Sequence, residues 1–289
     1  MRGSSHDDVV VSFHGVRGST PCHCPTQRRY GGNTSCVTIE ATGQDPIILD
    51  LGTGLRMFAA GAEGAMTAHA LLTHLHWDHV QGLPFFTPLH RSQTEMTVYG
   101  PGEGDESLAQ CMARFMAPPF FPVTADELPG QIDFVDVLDG DFTIGDTRVS
   151  ARPVPHTGPT AGYRVTRNGV SVAYLPDHQE PLDGSGDVSP GVLELCRDVD
   201  LLIHDAQYTS DEFAVKGTWG HSTPEYAVEV ARRAGAAVLV LFHHDPGHDD
   251  DTIDAICDRT RRLAADDPFT VLAASEGLKL TLPTRTGDQ

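Results

Sequence analysis

The sequence predicts an α/β fold in which two β-sheets are sandwiched between layers of helix. Two observations carry this. Short apolar, β-branched runs recur along the chain, and helical periodicity appears only between some of them. The runs are Val9–Phe13, Cys36–Glu40, Ile47–Leu51, Ala70–Thr73, Met96–Tyr99, Arg148–Val154, Gly162–Thr166, Val170–Leu175, Leu201–His204, Val238–Phe242, Thr270–Ala273 and Leu278–Leu282. Runs this short read as strands. The clearest helix begins near Ser222-Thr223-Pro224-Glu225. Ser222 and Glu225 are spaced for a capping box, and Pro224 suits a first turn. Tyr226, Ala227, Val230, Ala231 and Ala234 then share one apolar face, which Gly235 can end. Two further helices are expected over Leu193–Cys196 and Thr252–Ala264.

No internal repeat, low-complexity tract or linker interrupts the pattern, so 1–289 is read as a single domain with its core at about 9–283. The segment 101–130 stands apart. Gly/Pro-rich ends flank Cys111-Met112-Ala113-Arg114-Phe115-Met116. It is read either as a surface helix packed on the core or as a lid, because Met and Phe adapt to varied ligands.

With 40 acidic and 20 basic side chains, the formal charge is −20. Such a field repels nucleic-acid backbones, so a nucleic acid polymer is an unfavourable partner. It does not exclude a small anion, because bound cations reverse the sign locally. No apolar stretch approaches a bilayer span, and the N-terminus has no secretory apolar region. Its first six residues look like part of an expression tag. Six scattered cysteines fit a reduced, cytoplasmic compartment. A structural zinc at Cys22-His23-Cys24 is disfavoured, because no second cysteine pair accompanies it.

The chemistry is concentrated in Thr73-His74-Leu75-His76-Trp77-Asp78-His79. Three histidines and a carboxylate in six residues are costly to bury unless they bind something. In extended chain His74 and His76 point the same way, and the turn after them swings Asp78 and His79 toward a second point. One segment can therefore serve two metal ions.

This motif resembles the signature of the metallo-β-lactamase superfamily, and other landmarks follow in the same order. Ile47-Ile48-Leu49-Asp50-Leu51-Gly52-Thr53-Gly54 resembles the family's early strand and acidic turn. Pro155-His156-Thr157, Tyr174-Leu175-Pro176-Asp177 and Leu241-Phe242-His243-His244-Asp245 resemble its later ligand segments. The resemblance implies a four-layer αββα metallo-β-lactamase sandwich. It also implies that His74, His76 and His156 hold one metal, that Asp78, His79 and His243 hold a second, and that Asp177 bridges them. His243 is preferred over His244 because it directly follows an apolar strand. Asp50 is expected to orient the histidine turn rather than bind metal. Nitrogen and carboxylate ligands without thiolates suit Zn²⁺, with Mn²⁺ or Fe²⁺ as alternatives. The redox-active di-iron branch has Glu where His76 stands, which disfavours an oxidoreductase.

Two further segments narrow the branch. Phe13-His14-Gly15-Val16-Arg17-Gly18-Ser19 and Arg29-Tyr30-Gly31-Gly32-Asn33-Thr34-Ser35-Cys36 resemble the opening phrases of the phosphodiesterase-like branch, which includes tRNase Z and cyclic-phosphate phosphodiesterases. Trp219-Gly220-His221-Ser222-Thr223 resembles the His-Ser-Thr segment of tRNase Z, which implies that His221 protonates a leaving oxygen or stabilises charge. Asp205, in His204-Asp205-Ala206-Gln207-Tyr208, is expected to orient it, and His204 is as readily a core residue. Arg17, Arg28 and Arg29 are weighed as phosphate contacts against solvated surface. The chain lacks a long basic Gly/Pro-rich arm. The expected function is therefore hydrolysis of a small phosphodiester, such as a cyclic nucleotide or cyclic sugar phosphate, with Asp78, His221 and Asp205 as catalytic residues. The alternatives are a carboxyl-type hydrolase (lactonase or thioesterase), a tRNase Z-like RNA 3′-processing nuclease, and a non-catalytic metal-containing sensor. A homodimer is an open alternative to a monomer.

Overall fold

The computed structural model describes residues 8–62 and 64–284; the tag-like start lies outside the described residues. Two seven-stranded sheets form the centre. The first contains β1 (Val9–Gly15), β2 (Cys36–Ala41), β3 (Ile47–Leu49), β4 (Thr67–Leu71), β5 (Glu95–Gly100) and β6 (Gln131–Asp136), in that spatial order. The second contains β7 (Gly140–Ile144), β8 (Thr147–Pro153), β9 (Ala161–Arg167), β10 (Val170–Leu175), β11 (Leu201–Asp205), β12 (Val238–Phe242) and β13 (Thr270–Ala273), also in spatial order. The last strand, β14 (Lys279–Leu282), returns to pair antiparallel with β1 and closes the edge of the first sheet.

Strand alternation explains the inner layer. Val9, Val11 and Phe13 of β1 meet Val149, Ala151, Tyr163, Val165, Val172 and Phe242 from the opposite sheet in one buried cluster. Each such apolar side chain taken fully from water stabilises the fold by about 1.5–3 kcal/mol. Two more clusters lie on the outer faces. The first sheet is covered by α1 (Leu55–Ala60), by the short α2 (Trp77–Val80) and by α3 (Leu108–Phe115), through Leu55, Ala59, Val80, Leu108 and Met112. The second is covered by α4 (Pro190–Cys196), α6 (Pro224–Ala234) and α7 (Asp250–Leu263), through Val192, Leu195, Tyr226, Ala227, Val230, Ala231 and Ile256; the short α5 (Ser210–Lys216) lies between α4 and α6 in the chain. This is the αββα layering expected. All six residues of β10 are buried because both faces of that strand are covered.

The helix at α6 has its apolar face and its left-handed Gly235 end where the sequence indicated, but a different cap. Thr223, not Ser222, accepts from the Tyr226 amide. The Thr223 amide and hydroxyl donate to Glu180, so a glutamate from another segment fills the role assigned to Glu225. Strands β6 and β7 were not anticipated. Each is an edge strand with exposed alternate residues, so neither has the continuous apolar run of the inner strands. No helix among the described residues is long and apolar enough to cross a membrane.

Candidate metal centre

Strands β10 to β13 run parallel, as do β3 to β6, so their carboxyl ends collect on one side of the molecule. His74 lies just past β4, Asp177 just past β10, Asp205 at the last position of β11 and His243 just past β12. Loops at such strand ends are where open α/β sheets build sites.

The ligand atoms of His74, His76 and His156 lie within 4.8 Å of one another, and so do those of Asp78, His79 and His243. Asp177 faces both groups. Its Oδ1 is 3.6 Å from His156 Nε2 and 3.9 Å from His74 Nε2, while its Oδ2 is 3.0 Å from His79 Nε2 and 3.3 Å from His243 Nε2. The structure thus brings together every residue read as a candidate ligand. His243 faces the centre. His244 turns away, donating from Nε2 to the Ala274 carbonyl at 3.0 Å.

The outward hydrogen bonds fix which ring nitrogens carry protons. His79 Nδ1 lies 2.7 Å from Asp50 Oδ2, His243 Nδ1 lies 2.7 Å from Gln207 Oε1, and His156 Nδ1 lies 2.6 Å from the Gly220 carbonyl. These three oxygens only accept, so each Nδ1 donates and each Nε2 is left as the atom that can offer a lone pair to a metal ion. His79 Nε2 and His243 Nε2 then sit 3.2 Å apart, with Asp78 Oδ2 within 3.2 Å of both. Such a convergence needs a positive charge within it: either a proton, which Asp78, Asp177 and Asp50 favour by raising the His79 pKa against the cost of burial, or a metal cation. Moreover, the buried His74 Nε2 and Asp177 Oδ2 have no hydrogen-bond partner. The donor set therefore fits divalent metal, and its lack of thiolates suits Zn²⁺, Mn²⁺ or Fe²⁺.

Asp50 holds this arrangement from behind. It is fully buried and accepts from the Thr73 amide (2.8 Å), the Thr73 hydroxyl (3.0 Å), His79 Nδ1 and the Tyr174 hydroxyl (2.9 Å). Both Asp50 (φ 60°) and His243 (φ 61°) adopt left-handed backbone, a strained conformation for these residues and one that clusters at functional sites. Burial first, and then repulsion from neighbouring histidines, lowers the pKa of His74, His76 and His156, which keeps these rings in the neutral form that binds metal. Burial opposes charge on Asp78 and Asp177 as well, but the facing histidines outweigh it and hold both carboxyls well below the usual range.

His221 lies beside Asp177 and is itself buried. Its Nδ1 is 3.0 Å from Asp205 Oδ2 and 3.5 Å from Asp177 Oδ1. His204 does not join it. The ring is buried, donating to the Asp205 carbonyl and meeting His178 Nδ1 at 2.8 Å, so it belongs to the core.

Two arginines also have other work. Arg17 is fully buried and donates to the carbonyls of Gly31, Asp245 and His248, which clamps the turn after β1 to the loop after β12. Arg29 pairs with Asp250, Asp251 and Asp254 at the start of α7. Arg28 is exposed. Ser19 and Gln207 were missed as site residues. The Ser19 amide donates to Asp78 Oδ2 at 2.7 Å, and Gln207 holds His243. Both stand in segments whose resemblance was noticed, yet neither is of a type that signals metal chemistry by itself.

The model of the beta-lactamase superfamily domain matches residues 46–244. The chain belongs to the metallo-β-lactamase superfamily. Within the family, ribonuclease Z of Haloarcula marismortui is 27% identical over 272 residues, covering 81% of this chain and 85% of that protein. The human short-form tRNase Z structure superposes with a TM-score of 0.65 at 25% identity, covering 95% of this chain and 99% of that one. A diphosphatase of the PhnP family superposes with a TM-score of 0.68 at 19% identity, covering 95% and 97%, a likeness of fold.

Proposed function

We propose that this chain is a metal-dependent hydrolase that cleaves a small phosphodiester such as a cyclic nucleotide or cyclic sugar phosphate. The observation that carries the reading is the position of His221. It shares the Asp177 carboxylate with both ligand groups and is backed by Asp205. His74, His76 and His156 would hold one divalent ion and Asp78, His79 and His243 the other, with Asp177 between. Ions there would supply an activated water and the positive charge that a phosphoryl oxygen needs.

The chain's own residues do the rest. Asp78 accepts from the Ser19 amide, which leaves its second oxygen to orient the nucleophile. His221, kept protonated by Asp205, gives its proton to the departing oxygen. Cleaving a lactone or thioester has less need of that acid, which disfavours the carboxyl-type alternative.

A second reading is RNA 3′ processing, favoured by the relatives named ribonuclease Z and contrary to the expectation drawn from charge. The match to the Haloarcula marismortui protein spans 272 aligned positions but takes in only 81% of these 289 residues, so that relative carries segments with no counterpart here. This difference and the −20 charge favour the smaller substrate.

The test is turnover by metal-loaded protein of bis-p-nitrophenyl phosphate, of 2′,3′- and 3′,5′-cyclic nucleotides and of a 3′-extended tRNA precursor, with Asp78→Ala as control. Metal-dependent cleavage of the small diesters, lost in the variant, is expected. Cleavage of the precursor alone would establish the second reading. No phosphodiester turnover by protein shown to hold both ions would overturn both.

A further inference from the structure

The turn that carries the candidate ligands also carries two apolar side chains that point elsewhere. Leu75 and Trp77 alternate with His74, His76 and Asp78, and with Val80 and Gln81 they line a cleft of about 540 Å³. Phe115 and Phe120 close its far side, and a second cleft of about 490 Å³, which shares Gln81, Phe115 and Phe120, adds Phe85. The volume is in the range of small-molecule sites.

Three of these rings stand in solvent. Trp77 is 75% exposed, Phe120 86% and Phe85 57%. Large apolar side chains gathered in this way mark a binding surface rather than chance exposure. The polar character is sparse. Arg114, the one cation lining the first cleft, is paired with Glu106. An anionic group therefore has little to bind within the cleft itself. A flat, neutral ring does, because every base has a π-face that stacks on aromatic side chains.

We infer that this cleft seats the nucleobase of a mononucleotide-sized phosphodiester, stacked against Trp77 and Phe120, while the phosphate lies at the histidine cluster, whose His76 and Asp78 flank Trp77 in the chain. The inference rests on the phosphodiester reading and narrows it from cyclic phosphates in general to nucleotides. A polymer is disfavoured as the source of the base. Arg114 and Arg56 are the two cations lining the two clefts, too few to track a polyanionic backbone.

The molecule contains two tryptophans, Trp77 and Trp219, so a Trp219→Phe background makes the fluorescence report on Trp77. The experiment titrates zinc-loaded protein with adenosine 5′-monophosphate, ribose 5-phosphate and a short oligoadenylate, reading quenching and, in a parallel calorimetric titration, affinity. The mononucleotide is expected to quench Trp77 and to bind about 5–150-fold more tightly than ribose 5-phosphate, the gain that one stacked base supplies. In Phe120→Ala, and in Trp77→Ala read by calorimetry, that preference is expected to fall several-fold while ribose 5-phosphate binding holds. Equal affinity for the two small ligands, or a preference that survives both substitutions, would overturn the inference. An oligoadenylate that binds far more tightly than the mononucleotide would also overturn it, in favour of a polymer. Turnover of phosphodiesters without base preference removes the cleft from the account and leaves the reaction standing. Base preference without turnover of any phosphodiester does the reverse.

Discussion

Nδ1 of His221 donates to Oδ2 of Asp205 across 3.0 Å while lying 3.5 Å from Oδ1 of Asp177. Burial works against charge on this ring, but Asp205 first, then Asp177 and Asp78, raise its pKa above the ordinary histidine value. The protonated form therefore persists to higher pH, and a step that needs it declines as pH rises through the raised value. Replacing His221 by Ala is expected to lower kcat on a small diester by roughly 10²–10⁴. Asp205→Asn removes the main charge that sustains the imidazolium, so the alkaline limb of the pH–rate profile should move to lower pH. An alkaline limb that stays put in Asp205→Asn would remove Asp205 from the proton-holding role.

Asp50 binds no candidate ion position, yet its carboxylate fixes the Nδ1 proton of His79. Asp50→Asn turns an acceptor into a group that can present N–H to that nitrogen and weakens the bonds from Thr73 and Tyr174. Metal affinity is expected to drop about 10–100-fold, the usual effect of losing such a partner. Competition with a chromophoric chelator measures it, and circular dichroism checks that the fold is retained.

Gly220 has φ 97°, and a Cβ there would stand 2.3 Å from His156 Nδ1. Gly277, at φ 83°, has open space around the same position. Both Gly→Ala changes should cost about 1–2 kcal/mol of backbone strain. Only Gly220→Ala should also displace His156 and weaken metal binding. Equal metal affinity in the two variants would show that His156 is not held in this way.

Away from the site, His14 is largely buried, with Nε2 at 2.9 Å from the Thr38 hydroxyl. Burial, helped by Lys279, pushes its pKa down to about 4. Its folded pKa lies below the unfolded one, so its share of stability is fully present above pH 6.5 and is lost as pH falls toward about 4. Urea unfolding of chelator-treated protein should show stability declining over that window. His14→Gln should flatten the decline by about one proton's worth.

The fold was readable where burial is continuous. Val170–Leu175 and Val238–Phe242 have the bounds that their apolar runs indicate, because inner strands are covered on both faces. Gln131–Asp136 was not, although Ile132 and Phe134 alternate with polar neighbours; an edge strand pays little attention to the apolar fraction that marks its inner fellows. The candidate ligands were legible because His and Asp are rarely packed together without cause. Their supports were not. Gln207, Ser19 and the Gly220 carbonyl act through atoms that almost any loop possesses, and only the folded chain shows where those atoms point. Arg17 was misread for a related reason, since its burial depends on three carbonyls, two of them from the far end of the chain.

The centre lies across the seam between the two sheets. Asp78 belongs to the first and His243 to the second, 165 positions apart in the chain, and they meet at 3.1 Å. Ions held there would act as a cross-link of the kind that a disulfide provides, closing a very long loop and restricting the unfolded chain. Catalytic competence and mechanical integrity would then share one fastening. A molecule of this kind losing its metal in the cell would become both idle and easier to unravel, and so exposed to proteolytic removal rather than left to persist as an inert copy.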